Sequence, residues 1–491
     1  MNAWKIVGLV CLVLVLLVLA WVGRLLWWAS NAKPGASVDY AAKLEALAAS
    51  SQAADSRTGD GFALLAAAAK SFRESREAFN AKASGALTKA PADWPQGFDW
   101  PTDFGLLRVP TVDEKAAART REFMQNTAAS GIYDSLEQIA RSRAGVRTYS
   151  HRTMLVLEEL PYLAQSRVLV RMNCARMRLA HDAGDGAELV RAFESNLAIG
   201  RVIASQSTTI ERLVGIAAVA AADEELREDL VFRPVGAQTT RELLAALDRQ
   251  LPISGVEVTI EAERLSCLDT IQWTHSDDGR GDGFLLAGQL DRFGSLAGGA
   301  PLSPVPGGVF GNAMTRVIFP TKKVTTARAN AIFDHAVAIG KLPVGQRDLG
   351  SLDVEIENLP RTQLLLKMTM PAMGSLVRNS EQFDTRVAAL RTMLGIELYR
   401  AEKGDYPASL AELVPAALPQ LPKDVWAADG KFRYLKPAPD GVRPYLLYSV
   451  GVDRTDDGGK EHPSNASLPI SGSREGFGYD YVVNRERKKP E

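Results

Sequence analysis

From Ile6 to Gly23 the chain carries no charged side chain, and apolar character resumes from Leu25 to Trp28. At 1.5 Å of rise per residue, a helix from Trp4 to Trp27 reaches about 35 Å, enough to cross the hydrocarbon of a bilayer with tryptophan near each interface. Every other segment must fold as something tethered to this run. A cleaved secretory leader is the alternative. Its apolar core would be about 7–15 residues long and would end at small residues. This run is longer, and it leads into Arg24-Leu25-Leu26-Trp27-Trp28. The expectation is an uncleaved anchor over residues 1–30, meeting the lipid bilayer through residues 4–28. Lys5 and the terminal amine favour an inside N-terminus, although Arg24 and Lys33 flank the other end.

With 491 residues the chain is too long for one ordinary domain. A hydrophobic share of 46% and a charged share of 23% are ordinary for a globular protein. A net charge of −1 and scattered basic residues give no argument for nucleic acid as a partner. The three cysteines, Cys11, Cys174 and Cys267, fit neither a disulfide framework nor a zinc site. If the body is extracytoplasmic and their helices are adjacent, Cys174 and Cys267 would pair. The alternative is two buried thiols.

Residues 31–370 read as a helical body, with internal boundaries near 90–112 and 294–311. Phe62, Leu65, Ala69, Phe72 and Phe79 form a helical stripe. From Leu160 to Leu230 packed helices are expected, turned at Gly184-Asp185-Gly186. Ala175, Gly184-Asp185 and Ala187 resemble a tetratricopeptide hairpin, but no clean repeat of about 34 residues follows. Pro371 to Lys403 is expected as one helix of about 50 Å.

The familiar catalytic patterns are missing from the sequence. It has no His-Glu-x-x-His, no Gly-x-Ser-x-Gly and no Walker loop. The five histidines, His151, His181, His275, His335 and His462, share no ligand spacing. No catalytic or cofactor-binding residue is therefore assigned. Asp93-Trp94-Pro95, echoed by Asp99-Trp100-Pro101, reads either as a sugar-binding lip or as a proline-stiffened loop. Asp277, Asp278 and Asp282 fail as an EF-hand, because Arg280 and Gln289 occupy the third and twelfth positions. The pairs Glu158-Glu159 and Glu224-Glu225 are adjacent on helices, so they cannot face one another across a substrate. They are expected to face water.

The C-terminal stretch is richer. Val387, Leu390, Leu394 and Leu398 make one apolar helix stripe, and Gly404 with Tyr406-Pro407 stops it. Ser409 and Glu412 have capping-box spacing. Strands are expected over Phe432–Leu435 and Tyr445–Val450, with Tyr479–Val483 returning beside them. Asp453, Asp456 and Asp457 follow the second strand among glycines. Three carboxylates with backbone carbonyls suit a hard cation. The alternative is a polar turn.

This order resembles the periplasmic domain of type II secretion pseudopilins. The matching residues are Leu398-Tyr399, Gly404-Asp405-Tyr406-Pro407, Leu410, Leu413-Val414-Pro415, Lys423-Asp424-Val425-Trp426 and Tyr448-Ser449-Val450-Gly451-Val452-Asp453. Val425 stands where that family usually has proline, and the N-terminus lacks a Gly-Phe-Thr-Leu-Ile-Glu-like processing motif. The resemblance covers about the last hundred residues. It implies a calcium ion held by Asp453, Asp456 and Asp457, and a role beside secretion or pilus machinery.

The fold expected is mainly α, with a small C-terminal α+β domain over 371–491. An N-terminal transmembrane helix precedes a helical-hairpin body, and a long helix leads into a small antiparallel sheet. The function expected is a membrane-anchored extracytoplasmic scaffold or assembly protein. It would cross the bacterial inner membrane once, face the periplasm, and meet an envelope protein or further copies of itself. The alternatives are a glycan- or peptide-binding envelope protein and a membrane-tethered hydrolase.

Overall fold

The computed structural model describes residues 3–35, 37–84, 114–206, 208–230, 233–296, 307–370, 373–462 and 478–485. It is mainly helical, with one small antiparallel sheet near the C-terminus, as expected. The helix Ala3–Asn31 leads the chain. Its side chains from Leu9 to Trp21 are exposed. It is long and apolar enough to cross a membrane. Of the two internal boundaries, 90–112 lies outside the described residues, and 294–311 does so over 297–306.

The centre of the body is a run of three helices, Pro161–Asp182, Gly186–Ala204 and Thr209–Leu230. Pro161 opens the first, where its missing N–H costs nothing. Gly184 turns the chain with φ +69°, and the Asp185 carboxylate caps the second helix by accepting from Glu188 N. The second and third helices touch backbone to backbone. A methyl at Gly200 would lie 2.7 Å from Gly215 O, and one at Gly215 would lie 2.5 Å from Gly200 O.

Three main cores result. One joins Phe72, Phe123, Leu136 and Ile139 to Leu169 and Ile199. Another gathers Ile260, Cys267, Ile332, Phe333 and Leu352. The third runs from Phe193, Leu197 and Leu247 through Leu390 and Leu394 to Tyr445, Leu447 and Val483. The C-terminal sheet thus shares a core with the helical body on both sides of residue 371. Cys174 belongs to the first core and Cys267 to the second, and no disulfide joins them, so of the two alternatives the buried thiols are the one seen. Cys174 Sγ accepts from Asn196 Nδ2 at 3.4 Å and Cys267 Sγ meets Thr369 Oγ1 at 3.7 Å; burial pushes the Cys267 thiol up to about 12.

The long helix forms over Met373–Lys403, and Gly404 leaves it with φ +83°. Ser409 and Glu412 form the capping box, which opens a single 3-10 turn over Leu410–Leu413. The sheet has three strands, β1 Arg433–Leu435, β2 Leu446–Ser449 and β3 Tyr481–Val482. Strand β2 lies in the middle, antiparallel to both neighbours, with Arg433 opposite Tyr448 and Ser449 opposite Tyr481. All four β2 side chains are buried, which accounts for the lack of a polar face in its sequence.

The glutamates expected to face water do not all do so. Glu225 is 2% exposed, and Arg178 grips both of its oxygens at 2.8 and 2.6 Å. Glu224 receives Arg485, which brings the end of the described chain back onto the helix Thr209–Leu230. Glu158 accepts from Ser150 N at 2.9 Å. A buried carboxylate persists as an ion when a bidentate arginine compensates its lost hydration.

Candidate functional site

The acidic loop begins where β2 ends. Gly451 takes φ +73°, where a side chain would crowd Tyr479 O at 3.0 Å. Gly459 takes φ +81° and lies so close to the sheet that a methyl would fall 2.6 Å from Leu446 Cδ2. These two glycines let the loop turn back along the sheet edge. Arg454, a non-glycine residue at φ 62°, lies between them, and its guanidinium donates to Val344 O.

The three aspartates of the loop have different partners. Asp453 Oδ1 accepts from Thr455 N at 3.0 Å, and its Oδ2 accepts from Gly478 N at 2.7 Å, which fastens the loop to the returning chain. Asp456 accepts from the Tyr448 hydroxyl at 3.0 Å, from Gly458 N at 3.1 Å and from Arg433 Nε at 3.1 Å. Burial raises its carboxyl, but these donors outweigh burial and hold it below the usual carboxylate range. Asp457 Oδ2 is buried and accepts no hydrogen bond.

A fourth aspartate completes the arrangement. Asp480 stands directly before β3 and is 5% exposed. Its amide donates to Lys460 O at 2.9 Å, and its Oδ2 accepts from Gly459 N at 2.6 Å. Its Oδ1 is buried without a well-formed hydrogen bond. Burial pushes the carboxyl up to about 6, against the Gly459 and Asp457 amides and with the Asp456 and Asp457 charges adding to the rise. The sequence reading missed Asp480, although the return of Tyr479–Val483 beside β2 was the available signal.

Asp453 and Asp456 therefore shape the loop, while Asp457 and Asp480 each present one buried oxygen with no well-formed hydrogen bond. Oxygens of this kind suit a hard cation supplemented by backbone carbonyls. Among the described residues, no set of three or more His, Cys, Asp or Glu side chains forms a ready metal cluster.

Elsewhere, Asp277, Asp278 and Asp282 close a surface turn on their own backbone amides. Burial drives His275 down to about 4, His335 pairs with Glu355 at 2.9 Å, and His151 pairs with Asp39 at 2.9 Å. The Asp93–Pro101 tryptophan loop lies outside the described residues. A cleft of about 980 Å³ opens between helices and is lined by Arg57, Arg141, Arg191, Arg201 and Arg249 against Asp55, Glu137 and Glu194. Arg201 is 4% exposed; it donates to Gln250 Oε1 at 2.9 Å and to Ser142 O at 2.7 Å. Burial, and then the neighbouring Arg57 charge, lowers it to about 10.

No family model matches the chain, and neither curated proteins nor solved structures yield a match.

Proposed function

We propose that the chain is a membrane-anchored scaffold or assembly protein of a bacterial envelope, with its body on the periplasmic side and its C-terminal module presented to secretion or pilus machinery. The exposed apolar helix Ala3–Asn31 supports the anchor. The observation that carries the rest is the acidic loop. It follows the middle strand of a small sheet packed on a long helix, the same succession that supports the pseudopilin resemblance. In this reading Asp457 and Asp480 hold a calcium ion, and Asp453 and Asp456 keep the loop in shape around it. The bound ion neutralises buried carboxylates and stiffens the module for docking. Two experiments test the reading. Protease added to spheroplasts should digest the body; protection until the cells are permeabilised reverses the orientation. Crosslinking of the full chain in intact cells should capture envelope partners or copies of itself, and the absence of both removes the scaffold role.

The arginine-lined cleft favours a second reading, a binding protein for an acidic peptide or glycan. Five arginines and three carboxylates line it, with Glu188 pairing Arg191 from beside it, so arginines outnumber acids although each has an acidic neighbour. Retention of the purified protein by an acidic peptide, lost in Arg57→Ala with Arg249→Ala, would favour it over the scaffold.

A further inference from the structure

The helix Gly308–Ile318 has an apolar face that nothing in the described chain covers. Val309 is 42% exposed, Phe310 64%, Val317 65% and Ile318 44%. Phe310 and Val317 are seven residues apart, and Val309 with Val317 and Phe310 with Ile318 are eight apart. At 3.6 residues per turn all four fall within one half of the helix surface. They stand in two pairs at the ends of the helix, with Ala313 buried between them; uncovered apolar side chains grouped in this way on a folded body mark an interaction surface.

What covers it follows from the neighbouring element. This helix packs against the N-terminal helix Ala3–Asn31. The fixed points lie in the last turns of that helix. Asn312 Nδ2 donates to Ala29 O at 3.3 Å, while Asn312 Oδ1 accepts from Ala287 N at 3.0 Å, tying both helices to the body. Arg316 lies over the Trp28 ring at 4.8 Å and over Phe284 at 4.4 Å, and the two rings meet edge to face at 5.4 Å. Along the N-terminal helix, Val22, Leu25 and Trp28 are half-buried and Ala29 is buried, whereas Leu9 to Trp21 are exposed. Val22 to Ala29 spans about 10 Å of helix. A body helix held against these turns sits at the depth where the anchor leaves the membrane.

We infer that the Val309, Phe310, Val317 and Ile318 face lies in the interface of the same bilayer that the N-terminal helix crosses, as a second membrane contact. This rests on the anchor reading, and it adds that the body is seated on the membrane rather than swinging from a tether. The chemistry suits such a place. Apolar side chains enter the headgroup boundary on one side of the helix, and the Arg316 guanidinium is held over the Trp28 and Phe284 rings beside them. Lys322 donates to Gly35 O at 3.0 Å, which puts a further cation beside the chain leaving the anchor. Lys322 opens the next helix and pairs with Asp277 at 3.7 Å, and the exposed Lys323 follows it. Polar side chains of both signs at this level suit the headgroup zone rather than the hydrocarbon. The same contact fixes the direction in which the C-terminal module points.

The test uses the full chain reconstituted in vesicles of phosphatidylcholine and phosphatidylglycerol, with Cys11→Ala to remove the exposed thiol. Single spin labels are placed through Phe310→Cys and Val317→Cys. Leu17→Cys reports the anchor, and Val442→Cys, at an exposed site on the C-terminal module, reports water. Collision with dissolved oxygen and with an aqueous nickel complex is then measured. Labels at 310 and 317 should favour oxygen over nickel severalfold more than the label at 442, approaching the label at 17. If 17 reads as lipid while 310 and 317 read as water, the second contact is overturned and the anchor stands. If 310 and 317 are shielded from both reagents, protein covers the face and the lipid assignment fails. If 17 itself reads as water, the anchor and the inference fall together.

Discussion

The guanidinium of Arg227, fully enclosed on the helix Thr209–Leu230, donates to the backbone carbonyl of Val483, just past β3. Asp223 balances its charge at 2.8 Å, and Arg227 lies over the Tyr481 ring at 5.4 Å. One side chain thus joins the helical body to the last strand, across 256 positions of sequence.

Removing it should expose how far the sheet depends on the body. Arg227→Met leaves buried Asp223 with only the more distant Arg386, at 3.9 Å, so the loss should fall below the figure of about 3–5 kcal/mol for a wholly unpaired buried charge. Denaturant unfolding of the full chain in detergent should show that loss. Asp223→Asn in the same chain should recover part of it, because the buried carboxylate is then neutral. Equal stability of wild type and Arg227→Met would mean that the clamp contributes nothing.

Gly200 and Gly215 make a second prediction. Alanine raises helix propensity by about 1 kcal/mol over glycine. At Gly200, however, the added methyl meets Gly215 O and Val219, and backbone cannot rotate away as a side chain can. Overpacking of this kind costs about 1–3 kcal/mol. Gly200→Ala should lower the melting temperature, and Gly340→Ala, whose methyl meets nothing within 4 Å, should not.

The parts of this molecule legible from sequence are those set by neighbours along the chain. The stripe of Leu390, Leu394 and Leu398, the stop at Gly404 and the Ser409–Glu412 box are local, and all appear where expected. The burial of Glu225 and the partners of Asp480 were not legible for the opposite reason. Their surroundings are assembled by residues far away, Arg178 for the first and Gly459 for the second. An adjacent pair of glutamates on a helix looks solvated until a distant arginine is known to be opposite it. Arg201 is similar: its partners Gln250 and Ser142 meet only after the helices pack.

The pH dependence of stability should carry the signature of Asp480. Burial raises its folded carboxyl from an ordinary 3.8 to about 6, with Asp456 and Asp457 adding to the rise. A raised folded value means the native state binds the proton more tightly than the unfolded chain. The resulting stability is fully present below the unfolded value and is lost as pH rises through about 6. Asp480→Asn removes the titration. The stability of the variant relative to wild type should therefore rise between pH 4 and pH 7, measured by urea unfolding without divalent ions. A difference that stays flat across that range would place the titration elsewhere.

Calcium should act on the same two carboxylates. One buried oxygen of Asp457 and one of Asp480 lack a well-formed hydrogen bond, so a cation there replaces hydration lost on burial. Binding to the folded state alone stabilises by about 2.7 kcal/mol at a hundred times the dissociation constant. Calcium titrated into the full chain at pH 7 should raise the melting temperature progressively. Magnesium should do less, because the irregular loop suits variable coordination better than a strict octahedron. Asp457→Asn with Asp480→Asn should abolish the response. Asp456→Asn should reduce it less, since its donors Tyr448, Arg433 and Gly458 already engage that carboxylate. Because the ion requires Asp480 ionised, the response should also weaken below about pH 6. A wild-type chain whose melting temperature ignores calcium at pH 7 would leave the loop as a turn closed by its own amides.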